Sequence, residues 1–219
     1  MKCYFKLIAY LLVFIGFSNS NAGSYDDFFV AIARNNPEAV QSLLNRGFDP
    51  NTLSTKGEYA LMLALRDGSL KVVDVLLDQP ATKAEVRTAL DESPLMLAAL
   101  KGHMAICQKL IARDADVNKP GWTPLHYAAT GGHIPVMRLL LENHAYIDAA
   151  SPNGSTPLMM AAKYGSASAV QLLLEAGADP SLKNGIGLSA IDFARTAQRT
   201  DSVEIIASFI RAQRPKGSW

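Results

Sequence analysis

Histidine and cysteine are the side chains in this sequence that could bind a metal ion or act as a nucleophile. They are His103, His126, His133, His144, Cys3 and Cys107. A zinc site needs several such ligands that converge on one point, but neither the paired-cysteine nor the His-Glu-x-x-His spacing occurs here. Phosphate-binding loops and the Gly-x-Ser-x-Gly motif do not occur either. We therefore predict no catalytic residue, no metal site and no cofactor.

Three of these histidines belong to segments that recur along the chain. The segment GWTPLHYAA at 121–129 is matched by GSTPLMMAA at 154–162, and a weaker copy, SPLMLAA, occupies 93–99. The offset from Thr123 to Thr156 is 33 residues. A fixed period of this size is the signature of stacked repeats, in which each unit buries one face against the next. The elements that position the histidines are therefore the helices of a repeat array.

The repeated segments resemble ankyrin repeats. Thr-Pro-Leu-His at 123–126, the pair Gly132-His133 and the triplet at 177–179 all have the spacing of that family. The resemblance covers nearly all of residues 24–210. It implies an all-α repeat solenoid of about six stacked helix-turn-helix repeats with β-hairpin loops. It also implies that His126 bonds backbone across repeats, which makes it a structural residue.

Alignment on the Thr-Pro position gives the domain boundaries. We predict a signal peptide at 1–22, a repeat domain at 23–211 and a polar C-terminal tail at 212–219. The repeats are expected at approximately 24–51, 52–86, 87–117, 118–150, 151–183 and 184–211. Within them, Gly47, Asp114, His144 and Gly177 are expected to end the second helix with a left-handed backbone.

Two places depart from the repeat pattern. Pro94 and Pro124 are only 30 residues apart, so the hairpin between them is short. Pro80 occupies a position where other repeats need a left-handed residue, and proline cannot adopt that backbone. The segment 81–91 is therefore predicted to be an irregular or partly helical finger rather than a hairpin. It is either a tolerated irregularity or a specialised binding element.

Residues 1–22 predict export from the cytoplasm. Lys2 and Lys6 form a basic start, Leu7 to Phe17 is an apolar run of 11 residues, and small residues precede a cleavage site after Ala22. A bilayer-spanning helix needs about 20 residues, so we expect no stable membrane insertion after cleavage. The alternative is an uncleaved membrane anchor. We expect a periplasmic protein, with secretion to the extracellular space as the second option.

Composition and charge exclude some partners. The chain is 49% hydrophobic and 19% charged, as in globular proteins. It has 21 basic and 20 acidic residues, and removal of Lys2 and Lys6 with the signal would leave 19 basic ones. This balance argues against nucleic acid as a partner. Loss of Cys3 would leave Cys107 without a disulfide partner, and polar end repeats favour a monomer.

The resemblance implies binding through hairpin tips and the exposed side of the first helices. That geometry gives a candidate partner-binding surface of Arg34, Arg66, Lys101, Trp122, Lys163 and Tyr164. Aromatic and arginine side chains are common anchors, and the cations favour a protein partner with an acidic or mixed surface. The alternative is that the cations only solvate the groove. Trp122 is the strongest candidate, although it could instead cover the short turn at 119–121.

These features predict a secreted or periplasmic protein–protein interaction module that binds its partner through a concave repeat surface. It also resembles small signal-bearing bacterial ankyrin proteins. One alternative is an inhibitor or immunity-type protein that blocks an enzyme, and another is a membrane-tethered scaffold with an uncleaved signal. No motif supports an enzyme.

Overall fold

The structure is a computed structural model that describes residues 23–213. The predicted signal peptide and residues 214–219 of the predicted tail lie outside that range. The described residues form twelve helices and no strand. They divide into two compact units, with the boundary between Lys83 and Ala84.

The first unit contains two helix pairs. Helix α1 occupies residues 23–33 and α2 runs over Pro37–Asn45, while α3 is Ala60–Asp67 and α4 is Leu70–Asp78. Helix α4 packs against both α3 and α2. The apolar residues of these helices, among them Phe28 and Leu65, are fully buried. Burial of one face of each helix against its neighbours is what stabilises such short helices.

The second unit contains four helix pairs. Its helices are α5 (Pro94–Leu100), α6 (Met104–Ile111), α7 (Pro124–Gly131), α8 (Ile134–Glu142), α9 (Pro157–Tyr164), α10 (Ala167–Glu175), α11 (Ala190–Thr196) and α12 (Thr200–Gln213). The first helices pack in the order α5, α7, α9, α11, and the second helices in the order α6, α8, α10, α12. Six helix pairs over the described residues confirm the predicted all-α repeat solenoid.

The first helices begin where the Thr-Pro and Ser-Pro pairs predict. In each first helix of the second unit, the third residue accepts a hydrogen bond from the backbone N–H of the capping residue. The acceptors are Met96 Sδ at 3.4 Å, His126 Nδ1 at 3.2 Å, Met159 Sδ at 3.4 Å and Asp192 Oδ2 at 3.0 Å. Side chains of three types, Met, His and Asp, therefore accept a hydrogen bond from the equivalent unpaired N–H at the start of each of these four helices.

The predicted left-handed residues end the second helices. Gly47, Asp114, His144 and Gly177 have φ angles of 89°, 60°, 63° and 101°. The second repeat is different, because Pro80 holds the preceding residue away from helical geometry. Gln79 ends α4 with φ −83° and ψ 122°, an extended backbone. The prediction that Pro80 removes the left-handed terminator is confirmed.

Within each unit, side chains also connect neighbouring repeats through the backbone. Lys83 N donates to Asn51 Oδ1 at 2.8 Å in the first unit. In the second unit, Tyr146 N donates to Asn118 Oδ1 at 2.7 Å. Small residues allow this close stacking, since the Ala-Ala pairs of α5, α7 and α9 are completely buried. Alanine at the contact lets helix backbones approach closely, which larger side chains would prevent.

The hairpin loops share one five-residue turn. In the turns 54–58, 88–92, 151–155 and 184–188, the first N–H donates to the fifth carbonyl at 2.8, 3.0, 3.0 and 2.9 Å. The fifth N–H donates to the side-chain oxygen of the first residue. Isolated bridges pair Leu53 with Tyr59 and Lys183 with Ser189. Leu90 and Ile186, at the third position of their turns, are 82% and 79% exposed.

The segment 81–91 differs from its prediction. No part of it is helical and its last residues enter the hairpin turn 88–92, so the partly helical alternative and the absence of a hairpin are wrong, whereas the irregular backbone is found at 81–87. The physical reason is Asp91, which has φ 60° where the other three turns have glycine. Aspartate tolerates this left-handed backbone. Residues 79–87 are irregular, and the boundary between the units falls within them.

Candidate functional site

An apolar pocket lies on the exposed side of the first helices in the second unit. Its volume is about 250 Å³. Its walls come from α5, α7, α9 and the hairpin before α7, and the lining residues are Leu100, Trp122, His126, Tyr127, Thr130 and Met160. Trp122, the predicted anchor, is half-buried, and its ring meets the His126 ring edge-on at a centroid distance of 5.2 Å. The sequence-predicted residue therefore forms part of a pocket wall.

The short hairpin before α7 is held by a buried lysine. The side chain of Lys119 is 3% exposed, and its ammonium donates to the carbonyls of Pro120 at 2.9 Å and Trp122 at 3.0 Å. The same ammonium forms an ion pair with Asp91 of the preceding hairpin. Gly121 turns the chain with φ 79°. Lys119 thus replaces the backbone hydrogen bonds of the missing turn residues and fixes the backbone of Trp122.

His126 forms the floor of the pocket and ties two repeats together. Its Nδ1 accepts from Thr123 N, so Nε2 carries the proton and donates to the carbonyl of Ser155 at 2.9 Å. This confirms the implied bond across repeats. Burial lowers the pKa of His126 to about 4, although hydrogen bonds to Ser155 and Ala149 oppose the shift. At neutral pH the ring is therefore uncharged.

Cation and aromatic groups lie beside the pocket on α9. Lys163 Nζ lies 5.0 Å from the ring centroid of Tyr164 and 5.7 Å from that of Phe193. Tyr164 is 54% exposed. Lys163 and the pocket residue Met160 are one helical turn apart, so their side chains share a face of α9. The predicted residues Lys163 and Tyr164 thus lie about one helical turn from the pocket residue Met160, and neither of them lines the pocket.

Two carboxylates of the hairpin before α5 act electrostatically on the pocket residue Tyr127. Asp91 and Glu92 precede the cap of α5. Burial raises the pKa of Tyr127, and the negative charges of Glu92 and Asp91 raise it further. Asp91 is itself paired with Lys119, and the α5 residue that lines the pocket is Leu100, which precedes Lys101.

The remaining predicted residues have different surroundings. Lys101 is exposed and caps the C-terminus of α5. Arg34 and Arg66 belong to the first unit and are both exposed. Arg66 forms an ion pair with Glu58, and Arg34 lines a separate pocket of about 300 Å³ beside α1 and α2. Of the predicted residues, Trp122 lines the pocket, whereas Lys101, Lys163 and Tyr164 lie on or next to the helices that supply Leu100 and Met160. The two arginines belong to the first unit.

Sequence reasoning missed several residues of this region. Of the pair Met159-Met160, only Met159 is buried, and Met160 forms part of the pocket wall. Adjacent residues of a helix point to different faces, so helical spacing alone could have indicated that Met159 and Met160 do not share the same surroundings. Tyr127 and Lys119 were also missed. The burial of Lys119 depends on the neighbouring hairpin, which no local pattern in its own repeat reveals.

The one cysteine within residues 23–213 is a structural residue. Cys107 is fully buried, and burial raises the pKa of its thiol to about 12. A thiol this hard to ionise is a poor nucleophile. Within residues 23–213, no cluster of three His, Cys, Asp or Glu side chains could hold a metal ion. The same residues contain no helix long and apolar enough to span a bilayer.

Comparison with known proteins identifies the repeats. The chain is 32% identical over 162 residues to a nuclear factor NF-kappa-B subunit of Gallus gallus, which covers 71% of the chain and 16% of the relative. It is 33% identical over 165 residues to ankyrin repeat and KH domain-containing protein mask-1 of Caenorhabditis elegans, with 73% and 6% covered. An ankyrin repeat-containing protein of Treponema pallidum is 31% identical over 164 residues, with 72% and 52% covered.

The chain matches between 6% and 52% of the length of these relatives, so the similarity concerns their repeat segments. The family model for ankyrin repeats in three copies matches residues 28–120 and 95–184. Together these matches run from α1 to α10, and α11 and α12 lie beyond residue 184. The chain therefore belongs to the ankyrin-repeat family.

Proposed function

We propose that this protein binds a protein partner through the exposed side of its first helices, with the pocket around Trp122 as the centre of the interface. Ankyrin repeats indicate a protein–protein interaction module. The observation that supports this location is an apolar pocket open to solvent, walled by Trp122, Tyr127 and Met160. Aromatic side chains in well-packed pockets dominate binding energy in protein interfaces. The helices that carry them are rigidly capped, so little rearrangement is needed on binding.

The proposed mechanism is binding without catalysis. Two of the groups in residues 23–213 that could act as nucleophile or base have structural roles, since Cys107 is buried and His126 is bonded on both ring nitrogens. A general base must reach a substrate proton, and these hydrogen bonds occupy the ring. The relatives support the same view, because ankyrin repeats are generally interaction modules.

We further propose an exported, monomeric protein, with the periplasm as its compartment. The support is the pattern of basic, apolar and small residues in 1–22. Intact-mass analysis of the protein from its native cells tests this proposal. A mass that lacks residues 1–22 is expected. The full-length mass would instead favour the membrane-tethered scaffold.

Affinity capture with matched variants tests the proposed interface. The tagged protein is compared with a pocket variant (Trp122→Ala, Lys101→Glu, Lys163→Glu) and with a control variant (Tyr146→Ala, Lys71→Glu, Lys183→Glu). The control has the same change in charge, and its residues are exposed and line none of the pocket. We expect wild type and control to recover the same partner and the pocket variant to lose it. Equal recovery by all three proteins would mean that the partner binds elsewhere.

If the recovered partner is an enzyme, titration separates an adaptor from an inhibitor. An inhibitor or immunity-type protein would abolish the activity at a one-to-one ratio. An adaptor would leave the turnover of the partner unchanged at saturation.

A further inference from the structure

We infer that the pocket recognises a peptide segment that combines a bulky apolar side chain with a carboxylate, the apolar side chain in the pocket and the carboxylate at Lys163. This inference rests on the proposed function and adds the chemistry of the partner.

The size and lining of the pocket favour an apolar side chain over a free small molecule. Small-molecule sites usually have volumes of about 300–1,000 Å³, and this pocket has about 250 Å³. Its walls are formed by the rings of Trp122 and Tyr127 and by the side chains of Leu100 and Met160. A single aromatic or branched aliphatic side chain suits a cavity of this kind, since such anchors fill interface pockets.

Lys163 supplies the partner for a carboxylate. No carboxylate within residues 23–213 forms a salt bridge with it, and its contacts are the ring faces of Tyr164 and Phe193. The rings hold the ammonium by cation–π attraction while leaving its charge without a counter-ion. Met160 lies one turn away on the same helix face, so a carboxylate close in sequence to the apolar residue would reach Lys163.

Three pools of fluorescent decapeptides test the inference by fluorescence polarisation. The first pool has one Leu, Phe or Trp followed within a turn by Glu. The second has Lys in place of Glu, and the third has Ala in place of the apolar residue. Wild-type protein is expected to bind the first pool at least about fivefold more tightly than the second or third, as one favourable ion pair and one buried anchor predict.

Charge reversal distinguishes recognition from loss of folding. In the Lys163→Glu variant, we expect the preference to invert in favour of the lysine pool, which an unfolded protein cannot show. Trp122→Ala is expected to weaken binding of both apolar pools, and Lys183→Glu is the charge-matched control with wild-type binding. The inference is overturned if the first two pools bind equally, if Lys163→Glu leaves the preference unchanged, or if no pool binds.

The two proposals fail in different ways. If no pool binds while the pocket variant still loses the native partner, the proposed interface stands and the peptide chemistry is wrong. If the pools bind as expected while the pocket variant keeps the native partner, the pocket binds peptides but is not the interface that the proposed function requires.

Discussion

At the scale of single residues, one helix position is filled by three residue types in four repeats, and only the histidine connects repeats. Met96, Met159 and Asp192 each accept the N–H of their own capping residue. His126 does the same and in addition donates to Ser155 of the next repeat. A ring with two nitrogens can serve both sites only when it is neutral. The connection between repeats is therefore sensitive to protonation.

His126 is expected to make the stability depend on pH. Its pKa is lowered in the fold from 6.5 to about 4, so the unfolded chain binds the proton more tightly. The stabilisation is fully present above pH 6.5 and is lost as the pH falls towards 4, by about 3 kcal/mol in total. Urea unfolding at several pH values measures this loss. The variant His126→Met, which copies α5 and α9, should show a smaller loss, and an identical pH profile would contradict the assignment.

Lys119 is a buried cation in the short hairpin before α7, and we expect its loss to lower the stability of the fold. Lys119→Met leaves two carbonyls of the short hairpin without their donor, which costs about 1–3 kcal/mol of the free energy of unfolding. The exposed Lys183 is the control, and Lys183→Met should change the stability by less than about 0.5 kcal/mol. Urea denaturation followed by circular dichroism measures both. Equal effects of the two substitutions would show that the ammonium of Lys119 is dispensable.

At the scale of helices and loops, two glycines are required for different reasons. Gly187 lies in an open hairpin turn with φ 80°, and a Cβ there would meet nothing within 4 Å. Gly165 has φ −78°, outside the left-handed region, but a Cβ would lie 2.3 Å from the carbonyl of Ala129 on α7. Gly187 allows the left-handed backbone of its turn, and Gly165 permits the close contact between neighbouring repeats.

Alanine substitutions separate these two requirements. Gly187→Ala should cost about 1 kcal/mol of the free energy of unfolding, since only the left-handed backbone is disfavoured. Gly165→Ala should cost about 3 kcal/mol or more, because the backbones of α7 and α9 must move apart. Thermal unfolding of both variants measures the difference. If Gly187→Ala were the more damaging change, the close approach at Gly165 would not limit the packing.

The elements that were predictable from the sequence are those determined by local chemistry. Ser-Pro and Thr-Pro fix the starts of α5, α7 and α9, and Gly47 and Gly177 fix the ends of second helices. The turn at 88–92 was missed because Asp91 provides the positive φ that glycine usually signals. The walls of the pocket were only partly predictable, since the exposure of Met160 depends on how α7 and α9 pack together.

At the scale of the whole molecule, stability is expected to come from stacked helices alone. Within residues 23–213, the only cysteine is buried and no metal cluster is present. Neither a thiol reductant nor a chelator should therefore change the melting temperature of the purified protein. Differential scanning calorimetry with and without each reagent makes the measurement. A drop in melting temperature with either reagent would reveal a covalent or metal constraint that the repeats alone do not supply.

The position of Trp122 gives the pocket an optical probe of its own. The chain has two tryptophans, and the other, Trp219, is the last residue of the sequence. A Trp219→Phe variant would therefore emit from the pocket wall alone. Since Trp122 is half-buried against His126, any side chain that enters the pocket must displace water from the indole ring. Binding would then be visible as a shift in emission wavelength, without a label on either molecule.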